Sequence, residues 1–254
     1  MQLFNLTGKT ALITGSSGGL GLGMARGLGQ AGAHIILNSR SPERLIQPTQ
    51  QLEKEGIAVS SLVFDVSNET AVLEAFRSLD EKKVIVDILV NNAGINHREH
   101  ITDLALVDWQ RIIDTNLTSA FVVGREAGKR MLTRNRGGKI INIGSLTSAA
   151  ARASIAPYTA AKGGIKMLTR AMAAEWAEHN IQINAIGPGY MATELTRVLA
   201  EDPEFDSWMK ARTPARRWGT PDDLAGAAIF LASAASDYIN GQIIYIDDGL
   251  LAVM

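Results

Sequence analysis

Tyr158 and Lys162 stand four positions apart, a spacing that puts both on one face of a helix. A free phenol titrates near ~10, too high for a base at neutral pH. An ammonium group and a cationic ring beside it would lower that value, so that Tyr158 could trade a proton with a substrate oxygen. Ser145, thirteen residues upstream of Tyr158, could hydrogen-bond the same oxygen as charge develops on it. A Tyr-x-x-x-Lys pair is commonplace and mostly structural, so its weight depends on what precedes it.

A glycine-rich turn precedes it. Thr14-Gly15-Ser16-Ser17-Gly18-Gly19-Leu20-Gly21 follows an apolar run and opens an amphipathic one. Glycine lets the backbone turn sharply and lets a pyrophosphate come close. The amides of the helix start then face the phosphates, aided by the helix dipole. Gly15, Ser17, Gly19, Leu20 and Gly21 are the candidate contacts. About twenty residues on, Asn38-Ser39-Arg40 occupies the place where an NAD-selective fold puts an acidic side chain for the ribose 2′-hydroxyl. Ser39 has no charge, and Arg40 can pair with a 2′-phosphate. This favours NADP(H), with NAD(H) the alternative should Arg40 be an ordinary solvated loop residue. The glycine turn, Ser145, Tyr158 and Lys162, in that order, indicate hydride transfer between a nicotinamide and a hydroxyl or ketone. Lys162 would also hold the nicotinamide ribose.

The elements needed to position these residues are legible. Short apolar runs fall at Thr10–Thr14, His34–Asn38, Val59–Asp65, Ile85–Asn91, Lys139–Ile143, Gln182–Ile186 and Gln242–Ile246. Most are nearly continuously apolar, the mark of strands buried on both faces of a parallel sheet. Helical periodicity fills Leu20–Gln30, Pro42–Glu55, Glu69–Leu79, Leu106–Thr133, Pro157–His179 and Asp222–Ala232. Such alternation predicts right-handed βαβ crossovers in a single α/β domain over 1–254: a Rossmann-like, doubly wound, parallel seven-stranded sheet. Ser145 then sits just past the fifth strand, at the carboxyl edge where such sheets hold ligands. Asn116 falls inside the helix between strands four and five. Residues 191–218, with Pro203, Trp208 and Pro214, break the rhythm and are expected to form a helical insertion acting as a substrate lid.

Composition narrows the class. The 254 residues are 46% hydrophobic, carry a formal net charge of −1 and include no cysteine. Near-neutral charge gives no electrostatic case for nucleic acid or a membrane surface. Disulfides, thiolate chemistry and Cys-ligated zinc are excluded. Met1–Lys9 lacks a signal-peptide pattern, and no apolar run approaches the ~20 residues of a membrane span. The expectation is a soluble, cytoplasmic enzyme.

These markers, taken in order, resemble the short-chain dehydrogenase/reductase family along essentially the whole chain, from Gly8 to Gly249. They are TGxxxGxG at Thr14–Gly21, Asp65-Val66, Asn91-Asn92-Ala93-Gly94, Asn116, Ser145, Tyr158-x-x-x-Lys162, Pro188-Gly189 and Thr193. The resemblance implies a catalytic set of Asn116, Ser145, Tyr158 and Lys162, with Asn116 holding a water that relays protons from Lys162. It implies that Asp65 and Val66 contact the adenine and that Asn92, Ala93 and Gly94 line the adenosine side of the cleft. Pro188, Gly189, Met191 and Thr193 would contact the nicotinamide amide. It also implies a homotetramer, for which the helices over 106–133 and 157–179 could supply interface faces. Within the family the C-terminal half resembles gluconate 5-dehydrogenases and 2-deoxygluconate 3-dehydrogenases, through Ala174–Tyr190, Arg212–Gly219 and Asp237–Gly241. The gluconate enzymes usually use NADP, which agrees with Ser39-Arg40. Two positions depart from the pattern: Gly18 stands where many NADP-using relatives carry a basic residue, and Asp248 replaces a glycine of the usual Asp-Gly-Gly.

A sugar acid needs a cation for its carboxylate. Arg152, between Ser145 and Tyr158, and His97 with Arg98, after the Asn-Asn-Ala-Gly segment, are the candidates, against the plainer reading of surface charges. His97 and His100 lack the further ligands of a closed metal site, so no metal is expected. Trp208 and Trp218 could wall the pocket or simply pack the lid. Met167 and Met172 read as core or interface residues. Alternatives are another polyol or sugar dehydrogenase and a β-ketoacyl thioester reductase, the latter needing a basic docking patch for which Arg125, Lys129 and Arg130 are candidates. A catalytically idle dinucleotide sensor would have lost the Tyr or the Lys.

Overall fold

The computed structural model describes residues 2–253 and contains a seven-stranded parallel sheet. The strands are β1 (Thr10–Ile13), β2 (His34–Ser39), β3 (Val59–Val63), β4 (Ile88–Asn91), β5 (Gly138–Ile143), β6 (Ile181–Pro188) and β7 (Ile243–Ile246). Their spatial order is β3-β2-β1-β4-β5-β6-β7. The order reverses between β1 and β4, and a doubly wound sheet opens its ligand crevice at that point, beyond the carboxyl ends of the strands.

Side chains alternate across each strand, so neighbouring residues enter opposite cores. Ala11, Ile13, Ile35, Leu37, Ile88, Val90 and Ile141 meet α1 (Gly19–Gln30), α2 (Glu43–Lys54) and α9 (Ala225–Ala232) through Met24, Leu28, Leu52 and Leu231. Leu12, Ile36, Leu89, Ile140 and Ile183 meet α3 (Glu69–Glu81), α5 (Ser119–Arg134) and α6 (Ala156–Trp176) through Phe76, Val123, Ala127 and Met172. Both sheet faces are thus buried, which is why the strands read as apolar runs. The two edge strands are the exceptions: β3 exposes Val63, and no residue of β7 is fully buried.

Two expectations are corrected by the structure. The single helix expected over 106–133 is two helices, α4 (Leu106–Ile113) and α5, joined by a π turn at Asp114–Thr118. Single π turns inside helices are frequent at functional sites, and this one carries Asn116. The helix expected from Asp222 begins as a 3₁₀ turn, Pro221–Leu224, whose Thr220 and Asp223 form a capping box. The insertion after β6 is helical as expected, with α7 (Arg197–Ala200) and α8 (Pro203–Arg212). Among the described residues no helix is long and apolar enough to cross a membrane.

Candidate active site

Four polar side chains sew together the strand ends at the crevice. Thr14 Oγ1 accepts the main-chain N–H of Asn92 (3.0 Å) and Ala93 (3.1 Å). Asn92 Nδ2 returns bonds to the carbonyls of Thr14 (2.9 Å) and Gly15 (3.0 Å). Asn38 Oδ1 accepts Gly15 N–H at 3.1 Å, and its Nδ2 donates to the carbonyls of Leu62 and Phe64. Ser16 Oγ donates to the Ile13 carbonyl and accepts Asn38 N–H. The sequence reading placed Thr14, Ser16 and Asn38 in their motifs without a role. The available signal was a run of polar residues at the end of each buried apolar strand.

This sewing leaves no room for a side chain on Gly15, whose Cβ would lie 2.8 Å from Ala93 Cα and whose φ is +60°. The surface beyond is open. No side chain caps the start of α1 at Gly18, a Cβ on Gly18 would meet nothing within 4 Å, and one on Gly19 (φ +54°) would reach only Thr193, at 3.9 Å. The uncapped helix start at Gly18 and Gly19 therefore lies beside open space, with Thr193 the nearest side chain to Gly19. Free helix-start amides favour an anion, and the residues fit the diphosphate of a dinucleotide. At the end of β2, Ser39 is buried and its Oγ accepts Ser41 N–H, shaping the turn that presents Arg40. Arg40 is exposed and has no ion pair among the described residues, so its charge is free for a phosphate. Asp65 spends one carboxylate oxygen on Ser67 and lies beside buried Val66. Gly189 follows Pro188 against Asp247, Met191 is buried, and Thr193 forms a capping box with Thr196. Ser17 borders the same turn.

Ser145, Tyr158 and Lys162 come together. Ser145 caps a 3₁₀ turn, Leu146–Ser148, and its Oγ accepts Thr147 N–H at 3.2 Å. Its hydroxyl lies close enough to the Tyr158 phenol to favour the ionised form. Lys162 is buried, donates from Nζ to the Ile143 carbonyl at 2.7 Å, and holds that nitrogen 5.6 Å from the centre of the Tyr158 ring. A residue not singled out in the sequence couples the two segments: Ser148 Oγ accepts Ser145 N–H (3.3 Å) and donates to the Lys162 carbonyl (2.8 Å).

The expected lowering of the phenol is not what the protein alone provides. Burial pushes Tyr158 above its ordinary value, and the nearby Ser145 hydroxyl opposes the rise. Burial acts on the lysine in the other sense, lowering Lys162 to about 8. Both shifts have one physical cause, since low dielectric penalises whichever form is charged.

Asn116 acts on the loop after β4. Its Oδ1 accepts Ile95 N–H and its Nδ2 donates to the Ile95 carbonyl, both at 2.7 Å. A Cβ on Gly94 would come within 2.9 Å of that oxygen, so the amide needs glycine beside it. Both ends of the Asn116 side chain are thus spent on Ile95, in addition to any part it takes in proton relay.

At the mouth, Glu99 N–H donates to the Ser154 carbonyl at 2.9 Å and joins the loops carrying Arg98 and Arg152. Partial burial chiefly, then the charge of Arg152, lowers Arg98, while Tyr190 opposes the shift. Neither arginine has a carboxylate partner among the described residues, so two like charges converge with no counterion. The Arg152 guanidinium lies 4.3 Å from the centre of the Phe205 ring on α8. Phe205 packs with Tyr190, Trp208 and Trp218, and Trp218 Nε1 donates to Asp206. His97 lies in the Arg98 loop, its own N–H bonded to Asn96. Met172 is core, whereas Met167 is exposed on α6.

Comparison with known proteins agrees with this geometry. Residues 15–251 match the family model described as enoyl-(acyl carrier protein) reductase. The gluconate 5-dehydrogenase of Gluconobacter oxydans is 45% identical over 98% of this chain and 97% of its own. The 2-dehydro-3-deoxy-D-gluconate 5-dehydrogenase of Formosa agariphila is 46% identical over 100% of this chain and 97% of its own. A crystal structure of a gluconate 5-dehydrogenase from Burkholderia cenocepacia, in complex with NADP and tartrate, superposes with a TM-score of 0.96 at 45% identity, covering 100% of this chain and 99% of that one.

Proposed function

The chain belongs to the short-chain dehydrogenase/reductase family and is an oxidoreductase of CH–OH groups, and on that premise we propose gluconate and 5-ketogluconate as its substrate pair, with NADP(H) as coenzyme. One observation carries the sugar-acid reading: Arg98 and Arg152 lie on loops joined by the Glu99–Ser154 bond, and neither has a carboxylate partner among the described residues. A substrate carboxylate supplies the missing counterion, and a guanidinium can bind it in bidentate fashion. The relatives that act on gluconate and on 2-dehydro-3-deoxygluconate, and the tartrate bound to one of them, are all carboxylate chemistry.

The coenzyme would lie with its diphosphate on the amides of Gly19–Gly21 and its 2′-phosphate toward Arg40. Asp65, Val66 and Asn92–Gly94 would line the adenosine side, and Lys162, Pro188, Gly189, Met191 and Thr193 the nicotinamide side. When bound there, the nicotinamide supplies or accepts the hydride at the substrate carbon. In oxidation, Tyr158 Oη takes the proton of the substrate hydroxyl as its carbon loses hydride. In reduction, Tyr158 returns that proton to the carbonyl oxygen. Ser145 steadies this oxygen: its Oγ accepts Thr147 N–H, which orients the hydroxyl, and its proton donates to the substrate oxygen in place of the phenol. Lys162, charged, stabilises the phenolate.

The β-ketoacyl alternative is weakened by the pairing of its docking cations. Arg125 bonds Glu69 and Glu126, Lys129 bonds Glu126, and Arg130 bonds Asp80 and Glu126. Exposed Leu106, Val107 and Phe121 on α4 and α5, with Met167 on α6, support a homotetramer built on these helices. A cytoplasmic location accords with the absence of cysteine. The direct test is a panel of gluconate, 2-deoxygluconate, 2-dehydro-3-deoxygluconate, 5-ketogluconate, sorbitol and a β-ketoacyl thioester, each assayed with both coenzymes. Highest turnover on the gluconate pair with NADP(H) is expected. Preference for sorbitol or the thioester would overturn the substrate reading.

A further inference from the structure

Asp248 replaces a family glycine, and nothing in the chemistry above uses it. Its backbone has φ +52°, the left-handed region where glycine is favoured and a side chain is strained. Its carboxylate is engaged: Oδ2 accepts the main-chain N–H of Ala215. Ala215 lies on the return from α8, next to Arg216, which is itself left-handed at φ +55°. The neighbouring Asp247 only closes its own turn, on Gly249 and Leu251 N–H, and packs against Gly189 at the start of the insertion. Arg217 is held by Asp223 through two bonds of 2.7 and 2.9 Å. The C-terminal turn therefore touches both ends of the insertion, and Asp248 supplies the side-chain bond to its returning end. A cavity of about 400 Å³ lies between them, bordered by Tyr190, Met191, Thr213, Tyr245 and Asp248, so the hinge is not packed solid.

We propose that Asp248 is a latch at the hinge of the 191–218 lid. By holding the return segment to the C-terminal turn, it keeps Phe205 over Arg152 and the site closed around substrate. Asp248 is a positioning residue, and the proposal rests on the reading of 191–218 as a lid. A residue that was merely tolerated at a left-handed position would be improved by glycine; a latch would be lost.

The test compares Asp248→Gly with Asp248→Asn in the full chain. Asn keeps an oxygen acceptor and tolerates the left-handed backbone. Amide hydrogen exchange over 203–216 reports the latch without any turnover. The KM for 5-ketogluconate, or for the best substrate of the panel, reports the lid. Asp248→Gly is expected to speed exchange about tenfold at 213–216, the scale of one lost hydrogen bond to a charged group, and to raise KM several-fold without lowering thermal stability. Asp248→Asn is expected to stay close to the parent in both. Unchanged exchange in Asp248→Gly, or an Asn variant that behaves like the Gly one, overturns the latch. Faster exchange with unchanged KM leaves the anchor in place and overturns the lid.

Discussion

The side-chain nitrogen of Lys162 is anchored 2.7 Å from the main-chain oxygen of Ile143, tying α6 to the last residue of β5. The bond orients a buried ammonium whose pKa burial brings down to about 8, while the adjacent Tyr158 phenol is pushed up. Burial alone sets the lysine value, and the first proton to leave these two groups leaves near it. The singly deprotonated pair includes the phenolate–ammonium form that can accept a substrate proton.

The sign for turnover follows. Below about pH 8 both groups are protonated, which suits reduction; above it one proton is gone, which suits oxidation. Oxidation kcat/KM is expected to rise through that pH, and reduction kcat/KM to fall through it. In Lys162→Met the oxidation limb moves to higher pH, because the remaining phenol is the raised one. Profiles flat from about pH 6 to 10 with hydride transfer rate-limiting contradict the assignment.

Ser148 couples Ser145 to α6 through one accepted and one donated bond. Ser148→Ala leaves Ser145 N–H and the Lys162 carbonyl without this partner and should cost about 1–3 kcal/mol in denaturant unfolding. A fall in kcat of roughly tenfold is expected, since small displacements of reacting groups are costly, with coenzyme affinity retained. Unchanged kcat at reduced stability would make the serine purely structural.

Arg40 is the free cation at the end of β2. Arg40→Ala should weaken NADPH binding by about 10- to 100-fold, the scale of one charge-assisted pair, and leave NADH binding unchanged. Fluorescence titration of both coenzymes separates the cases. Equal losses for the two would remove Arg40 from 2′-phosphate recognition.

Arg152→Ala and Arg98→Ala should each raise KM for a sugar acid by about tenfold or more. For an uncharged ketose of similar length, both parameters should stay near the parent values. Steady-state kinetics on the two substrates decides whether the arginines read the carboxylate or only support the mouth.

The sheet, its order of elements and the Ser145–Tyr158–Lys162 set were legible because each rests on a local signal: apolar runs, a glycine turn, a four-residue spacing. The π turn at Asn116 was not, since one wide turn leaves the helical periodicity of 106–133 almost untouched, and the Asn116–Ile95 bonds form only in the fold. The roles of Ser16, Asn38 and Ser148 were missed for a related reason. Their longer-range hydrogen bonds join segments 14–26 residues apart in sequence, a distance set by the fold. The rise that burial alone imposes on Tyr158 was not foreseen, because sequence shows the neighbouring charge but not the burial that opposes it. Arg98 and Arg152 were named from chemistry alone, and the Glu99–Ser154 bond joining their loops could be seen only in three dimensions.

The account stands on Tyr158 moving the proton at the reacting oxygen. The most direct measurement is Tyr158→Phe, followed by NADPH consumption with 5-ketogluconate and, in parallel, by NADPH fluorescence titration. The account predicts turnover lower by about 10³-fold while NADPH affinity stays near that of the parent enzyme. Turnover that survives the loss of the hydroxyl, with binding intact, would contradict it.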